Sequence, residues 1–158
     1  MIDSIIFDVD GTLWDSTDTV ARAWNRILEQ KTDLKPTLTG DTLKGLFGRL
    51  LPDIAAVIFE KYPREHQLEL IDLCCEEEHR ELLAHPAPVY DTLEETLRIL
   101  SGKYPLYIVS NCQAGYIEVF LQATGLGGYF QGHLCPGDTG QAKAENIGII
   151  TRRHNLKA

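Results

Sequence analysis

The chain has 158 residues, of which 44% are hydrophobic and 24% charged, and its formal net charge is −8. This composition excludes a disordered or collagen-like chain and predicts a globular protein with a core of its own. The acidic balance repels nucleic acid and anionic lipid at long range and argues against either as a partner.

The N-terminus carries no basic segment, and Ile5-Ile6-Phe7 is too short for the apolar part of a signal peptide before Asp8 interrupts it. No run reaches the roughly 18 apolar residues that a membrane span needs, so the expected location is the cytoplasm. Cys74, Cys75, Cys112 and Cys135 form no Cys-x-x-Cys pair and are expected to be reduced thiols, neither a disulfide framework nor a zinc site.

Residues 4–9, Ser-Ile-Ile-Phe-Asp-Val, read as a short buried parallel strand that ends at the turn Asp10-Gly11-Thr12. Ser16 is a candidate N-cap for an amphipathic helix carrying Val20, Ala23, Trp24, Ile27 and Leu28 on one face. Leu43, Leu46, Phe47 and Leu50 predict a second helix closed near Pro52, and residues 54–59 a third. A fourth is expected over residues 65–83, with Leu68, Ile71 and Cys75 inward. His85-Pro86-Ala87-Pro88 reads as a stiff linker.

The pattern then changes. Residues 92–100 predict a helix, Leu106-Tyr107-Ile108-Val109 a buried strand, residues 115–123 a helix stopped by Gly125, residues 133–135 a short strand and residues 144–153 a last helix. Alternating strands and helices imply a parallel sheet with crossover helices. The expected class is α/β: a Rossmann-like core from residues 1–15 plus 86–158, interrupted by an inserted all-α unit over residues 16–85. Trp14 and Trp24 read as core and hinge packing, and His66, His79, His85, His133 and His154 as scattered surface or core residues.

The chemistry is expected where the first strand ends, in Asp8-Val9-Asp10-Gly11-Thr12-Leu13. Ligands of open parallel sheets bind beyond the carboxyl ends of the strands. Carboxylates at i and i+2 of an extended segment point to one side. Two acids sharing a site need a cation to remain ionised, which indicates a metal or a lysine.

An apolar strand followed by D-x-D-G-T-L resembles the signature of the haloacid dehalogenase superfamily. The resemblance implies that Asp8 is a nucleophile that takes up a phosphoryl group and that Asp10 is the general acid and base. It also implies that Mg2+ is held by the Asp8 carboxylate and the Asp10 main-chain carbonyl. Ser110 and Asn111, after the second strand, match the family's second motif, and Lys143 in Gln141-Ala142-Lys143-Ala144 matches its third. Ala144 stands where many relatives have proline. Thr12, Ser110, Asn111 and Lys143 are then the expected phosphate contacts. The helical insert would be a mobile cap, and Arg49 of Phe47-Gly48-Arg49 would contact the distal part of a small phosphorylated metabolite.

The family's fourth motif, an acidic pair after a further strand, is not found. Gly137-Asp138-Thr139 follows Cys135-Pro136 and precedes the lysine, so it is rejected as a decoy. The chain is therefore expected to be truncated, with its core incomplete at the C-terminus, a weakened metal site and impaired turnover. A phosphosugar mutase and a non-catalytic fragment are the alternatives to a magnesium-dependent phosphatase. Asp10 argues against a dehalogenase, and Val9 with the absence of long apolar spans argues against a P-type pump. The physiological substrate and oligomeric state are not legible.

Overall fold

A computed structural model describes residues 2–157. The chain divides into two compact units, one made of Met1–Asp15 with Pro88–Ala158 and the other of Ser16–Ala87.

The first unit is built on a parallel sheet in the order β1-β2-β3, formed by β1 (Ile5–Phe7), β2 (Leu106–Val109) and β3 (Phe130–Leu134). β1 sets Ile5 opposite Leu106 and Phe7 opposite Ile108, and β2 sets Ile108 opposite His133 and Val109 opposite Leu134. All four β2 residues are buried, as a central parallel strand covered on both faces requires. Tyr107 and Val109 point to one face, where they pack with Leu134 and Ile150 and with the partly buried Ile6, Ile149 and Leu156. Leu106 and Ile108 point to the other face. Phe7 and Phe130 meet there edge to face, 6.1 Å apart across β2.

The remaining elements of this unit are α5 (Leu93–Ser101), α6 (Tyr116–Thr124), a 3-10 turn (Gly127–Tyr129), α7 (Pro136–Thr139) and α8 (Lys143–Arg153). α6 stops at Gly125, whose φ of 72° is the left-handed conformation that ends a helix at least cost to glycine. β3 begins three residues before the expected stretch and ends at Leu134, because β2 pairs with Phe130 and Gly132, the register shifting past Gln131 between them. Gly132 has low strand propensity, which hides the strand locally. α7 was not expected. It starts at Pro136 and is capped by Asp138, whose carboxylate accepts from the Cys135 backbone N–H at 3.1 Å. Asp138, rejected above as a motif residue, thus has a structural task.

The second unit contains α1 (Thr17–Lys31), α2 (Gly40–Lys44), α3 (Leu51–Ile58) and α4 (Arg64–Ala84). α1 packs on α2 and α4, and α3 packs on α4. The expected face of α1 is buried, from Val20 through Leu28, but the Ser16 side chain does not cap it. The expected second helix is broken: α2 ends at Lys44 and turns follow through Gly48, whose φ is 93°. Pro52 opens α3 instead of closing the helix before it, as its missing N–H allows in a first turn. On α4, Leu68 is 37% exposed, and the inner face is Gln67, Leu70, Ile71, Cys74, Cys75, Glu78 and Leu82.

Polar groups on that inner face are matched. Trp24 Nε1 donates to Glu78 Oε2 at 2.7 Å, and Gln67 Nε2 donates to the carbonyls of Phe59 and Tyr62 at 3.1 and 2.9 Å. Arg26 bridges Glu77 and Glu81 at 2.8 and 2.5 Å, so α1 and α4 are joined by ions at the rim of their apolar contact. Among the described residues no helix is long and apolar enough to cross a membrane.

Candidate active site

The chain leaves the β1 ladder at Phe7, and Asp8 stands just past its carboxyl end. From there the backbone folds back on itself. The Val9 carbonyl accepts from the N–H groups of Thr12 and Leu13 at 3.1 and 2.8 Å, and Gly11 N–H donates to the Trp14 carbonyl at 3.0 Å. Gly11 has φ 73° with nothing within 4 Å of an added Cβ, so conformation and not crowding calls for glycine. Leu13 and Trp14 are fully buried and anchor the loop, which leaves Asp8 and Asp10 half-buried and Thr12 exposed.

Asp8 is held on both carboxylate oxygens. Oδ1 accepts from Val9 N–H at 2.9 Å, and Oδ2 lies 2.8 Å from Lys143 Nζ, each side chain being 33% exposed. Lys143 is the first residue of α8. A cation at a helix N-terminus is unfavourable to the helix, so helix stability does not explain its position there. Its own N–H, an orphan donor of the first turn, is capped from the loop after β2: Asn111 Oδ1 accepts it at 2.9 Å. The loop before Lys143 is pinned by Asn146, which is fully buried. Asn146 Oδ1 accepts from Thr139 Oγ1 at 2.7 Å and its Nδ2 donates to the Gln141 carbonyl at 2.8 Å.

Ser110 follows β2 directly, is 3% exposed, and donates its N–H to the Leu134 carbonyl at 3.4 Å. Asp10 meets a residue that the sequence did not single out: Tyr116 donates its hydroxyl to Asp10 Oδ1 at 2.5 Å. The nearby Cys112 thiol hydrogen-bonds Cys135 and is buried close to the Asp10 charge. These effects, in that order, push its pKa far up and keep it a neutral thiol.

Asp8, Lys143 and Asn111 are therefore brought together, and Asp10 and Ser110 stand on the neighbouring loops at the same carboxyl ends of the strands. Arg49 belongs to the helical unit, on an exposed bend after Gly48, not within a helix. Asn146 and Tyr116 are the contributors that sequence reasoning missed. Each lies at a turn of helix that looks ordinary by periodicity, and only the strand order shows what it faces.

The oxygen donors that the geometry places here are those of the Asp8 carboxylate, which are hard ligands. Among the described residues no cluster of three or more His, Cys, Asp or Glu side chains is placed to hold a metal. This set fits magnesium, which keeps several waters and takes one or two carboxylates plus substrate phosphate, and does not fit a closed zinc site.

The profile of the haloacid dehalogenase-like hydrolases matches residues 2–153. The chain belongs to that family. It is 24% identical over 157 residues to the Clostridium perfringens protein named "Putative pyrophosphatase PpaX", and it spans 70% of that protein's length. Among solved structures it resembles a predicted phosphoglycolate phosphatase from Haemophilus somnus, with TM-score 0.81 and 22% identity over 98% of this chain and 72% of that one. It also resembles the haloacid dehalogenase-like protein SP0104 of Streptococcus pneumoniae, with TM-score 0.77 and 22% identity over 98% and 71% of the two chains. A third similar structure is magnesium-bound YfnB of Bacillus subtilis, with TM-score 0.66 and 20% identity over 96% and 74%. These likenesses bear on the fold; the family match makes the chain a hydrolase of haloacid dehalogenase-like type.

Proposed function

We propose that this hydrolase is a magnesium-dependent phosphatase acting on a small phosphorylated metabolite, with Asp8 as nucleophile. The observation that carries the reading is the 2.8 Å pair of Asp8 Oδ2 and Lys143 Nζ at the mouth of a parallel sheet. A carboxylate is a weak nucleophile toward an anionic ester, and a neighbouring ammonium offsets the repulsion as charge builds on the phosphoryl oxygens.

In the first step an Asp8 carboxylate oxygen bonds to phosphorus and the ester P–O bond breaks. The leaving oxygen takes the proton carried by Asp10. In the second step a water gives its proton to Asp10 as its oxygen bonds to phosphorus, which releases inorganic phosphate and restores the Asp8 carboxylate. Ser110 and the N–H groups after it receive the phosphate, with Thr12 at the rim and Asn111 keeping Lys143 in place. Magnesium, held by Asp8 and the Asp10 carbonyl, would supply positive charge to the phosphate oxygens.

The helical unit is read as a cap domain, with Arg49 as a substrate-binding residue of that unit. Four free, buried cysteines are consistent with a cytoplasmic enzyme.

The test is phosphate release from a panel of phosphomonoesters, with acid-quench mass spectrometry of the peptide that contains Asp8. Wild-type protein should carry a phosphoryl group there, and Asp8→Asn should abolish both adduct and turnover. Chelation of magnesium should do the same reversibly. Turnover retained by Asp8→Asn, or indifference to chelator, refutes the reading.

A further inference from the structure

A carboxyl group that must hand a proton to a leaving oxygen works only when it is aimed, and Asp10 sits on a loop where its side chain has rotamers to choose from. Tyr116 removes that choice. Its hydroxyl reaches Asp10 Oδ1 at 2.5 Å although 106 residues separate the two in the chain. Tyr116 is the first residue of α6, entered through Gly115 in the left-handed conformation at φ 86°. The ring is 1% exposed. It packs edge-on to Trp14 at 6.2 Å, and Trp14 in turn packs against Phe120 at 5.0 Å. Trp14 and Phe120 are both fully buried. A phenol so walled in has little freedom beyond rotation of its O–H, so the direction of the hydroxyl is set by the core.

Trp14 also belongs to the loop that carries Asp10, since its carbonyl accepts from Gly11. The aromatic wall therefore fixes donor and acceptor to one another through a single packed unit. A surface tyrosine that had merely found a carboxylate would not be braced from the acceptor's own loop.

We infer that Tyr116 is a positioning residue for the acid–base carboxyl: it occupies Oδ1 of Asp10 and turns Oδ2 toward the leaving-group oxygen. This rests on the phosphatase reading given above. The consequence is selective. An ester with a stable leaving anion needs little protonation, whereas an alkyl ester needs it fully, so misaiming Asp10 must penalise the second more than the first.

The experiment compares kcat/KM of wild type, Tyr116→Phe, Asp10→Asn and Asp8→Asn on p-nitrophenyl phosphate, on phenyl phosphates of rising phenol basicity, and on glycerol phosphate. The loss in Tyr116→Phe should grow along the series and be about tenfold or more larger for glycerol phosphate than for p-nitrophenyl phosphate. Asp10→Asn should show the same trend more steeply. An equal loss across the series, or none, overturns the role of Tyr116, while Asp8→Asn at wild-type rates overturns the phosphatase reading instead.

A readout that needs no turnover is the hydroxyl proton in the NMR spectrum. Wild type should give a slowly exchanging downfield resonance that is lost in Tyr116→Phe and moves upfield in Asp10→Asn. Its absence from wild type also overturns the inference.

Discussion

Replacing Lys143 with methionine separates what the Asp8 contact does for folding from what it does for chemistry. At 2.8 Å the bare attraction between unit charges is about 1.5 kcal/mol in water and about 6 kcal/mol at an effective dielectric of about 20. Both side chains are a third exposed, so much of this is returned by hydration when the pair is broken, and exposed pairs are worth roughly 0–1 kcal/mol net. The expected stability loss is thus about 1 kcal/mol or less, because methionine keeps the stem of the lysine on α8 and the Asp8 carboxylate can be rehydrated.

In the transition state the balance differs. On the proposed mechanism, charge would build on phosphoryl oxygens beside Lys143, and loss of one such stabilising group costs about 100- to 1000-fold in rate, or about 2.7–4 kcal/mol. Urea denaturation should therefore show a small shift while kcat falls by two to three orders of magnitude, on the order given for such groups. A stability loss above about 3 kcal/mol, of the size seen for a buried pair, with turnover retained would make Lys143 a structural partner of Asp8 and refute the reasoning.

Gly137→Ala should destabilise the first unit by roughly 1–3 kcal/mol, because an added Cβ would stand 1.9 Å from the Ala114 backbone nitrogen. Thermal melting checks this, and an unchanged midpoint would show that the loop yields freely. Burial raises the pKa of Cys74 and of Cys75, and contact with Cys135 together with burial raises that of Cys112. Thiol reagents should hence label these three only after unfolding. A raised folded pKa favours the native state below the unfolded value and loses that advantage above it, so stability should fall as pH rises past about 8.5. Rapid labelling of native Cys74, Cys75 or Cys112 at neutral pH contradicts their burial.

The first motif was legible because an apolar strand, two carboxylates and a glycine are consecutive, so local chemistry alone locates Asp8 and Asp10. β2 was equally plain, since all its residues are buried and apolar. β3 was only half visible, because pairing of Phe130 and Gly132 with β2, and not composition, starts the strand there. The break after α2 was hidden by an apolar spacing at Leu43, Leu46 and Leu50 that continues through the turns at Gly45 and Gly48. The Tyr116 contact could not be read at all: nothing in Gly115-Tyr116-Ile117 indicates which strand end the ring will face.

The antiparallel bridge between Trp14 and Val89 bears on how the chain finds its fold. Together with the Asp15 N–H bonded to the Pro88 carbonyl at 3.1 Å, it brings the two ends of the helical segment side by side. Ile5 and Leu106, which must pair, are roughly a hundred residues apart along the chain. If the helices between them condense first, the path shortens to about thirty residues, which lowers the entropic cost of closure by about 1 kcal/mol. Early helix formation would then set the pace at which the sheet assembles, and loosening α1 or α4 would slow refolding of strands that those helices do not contain.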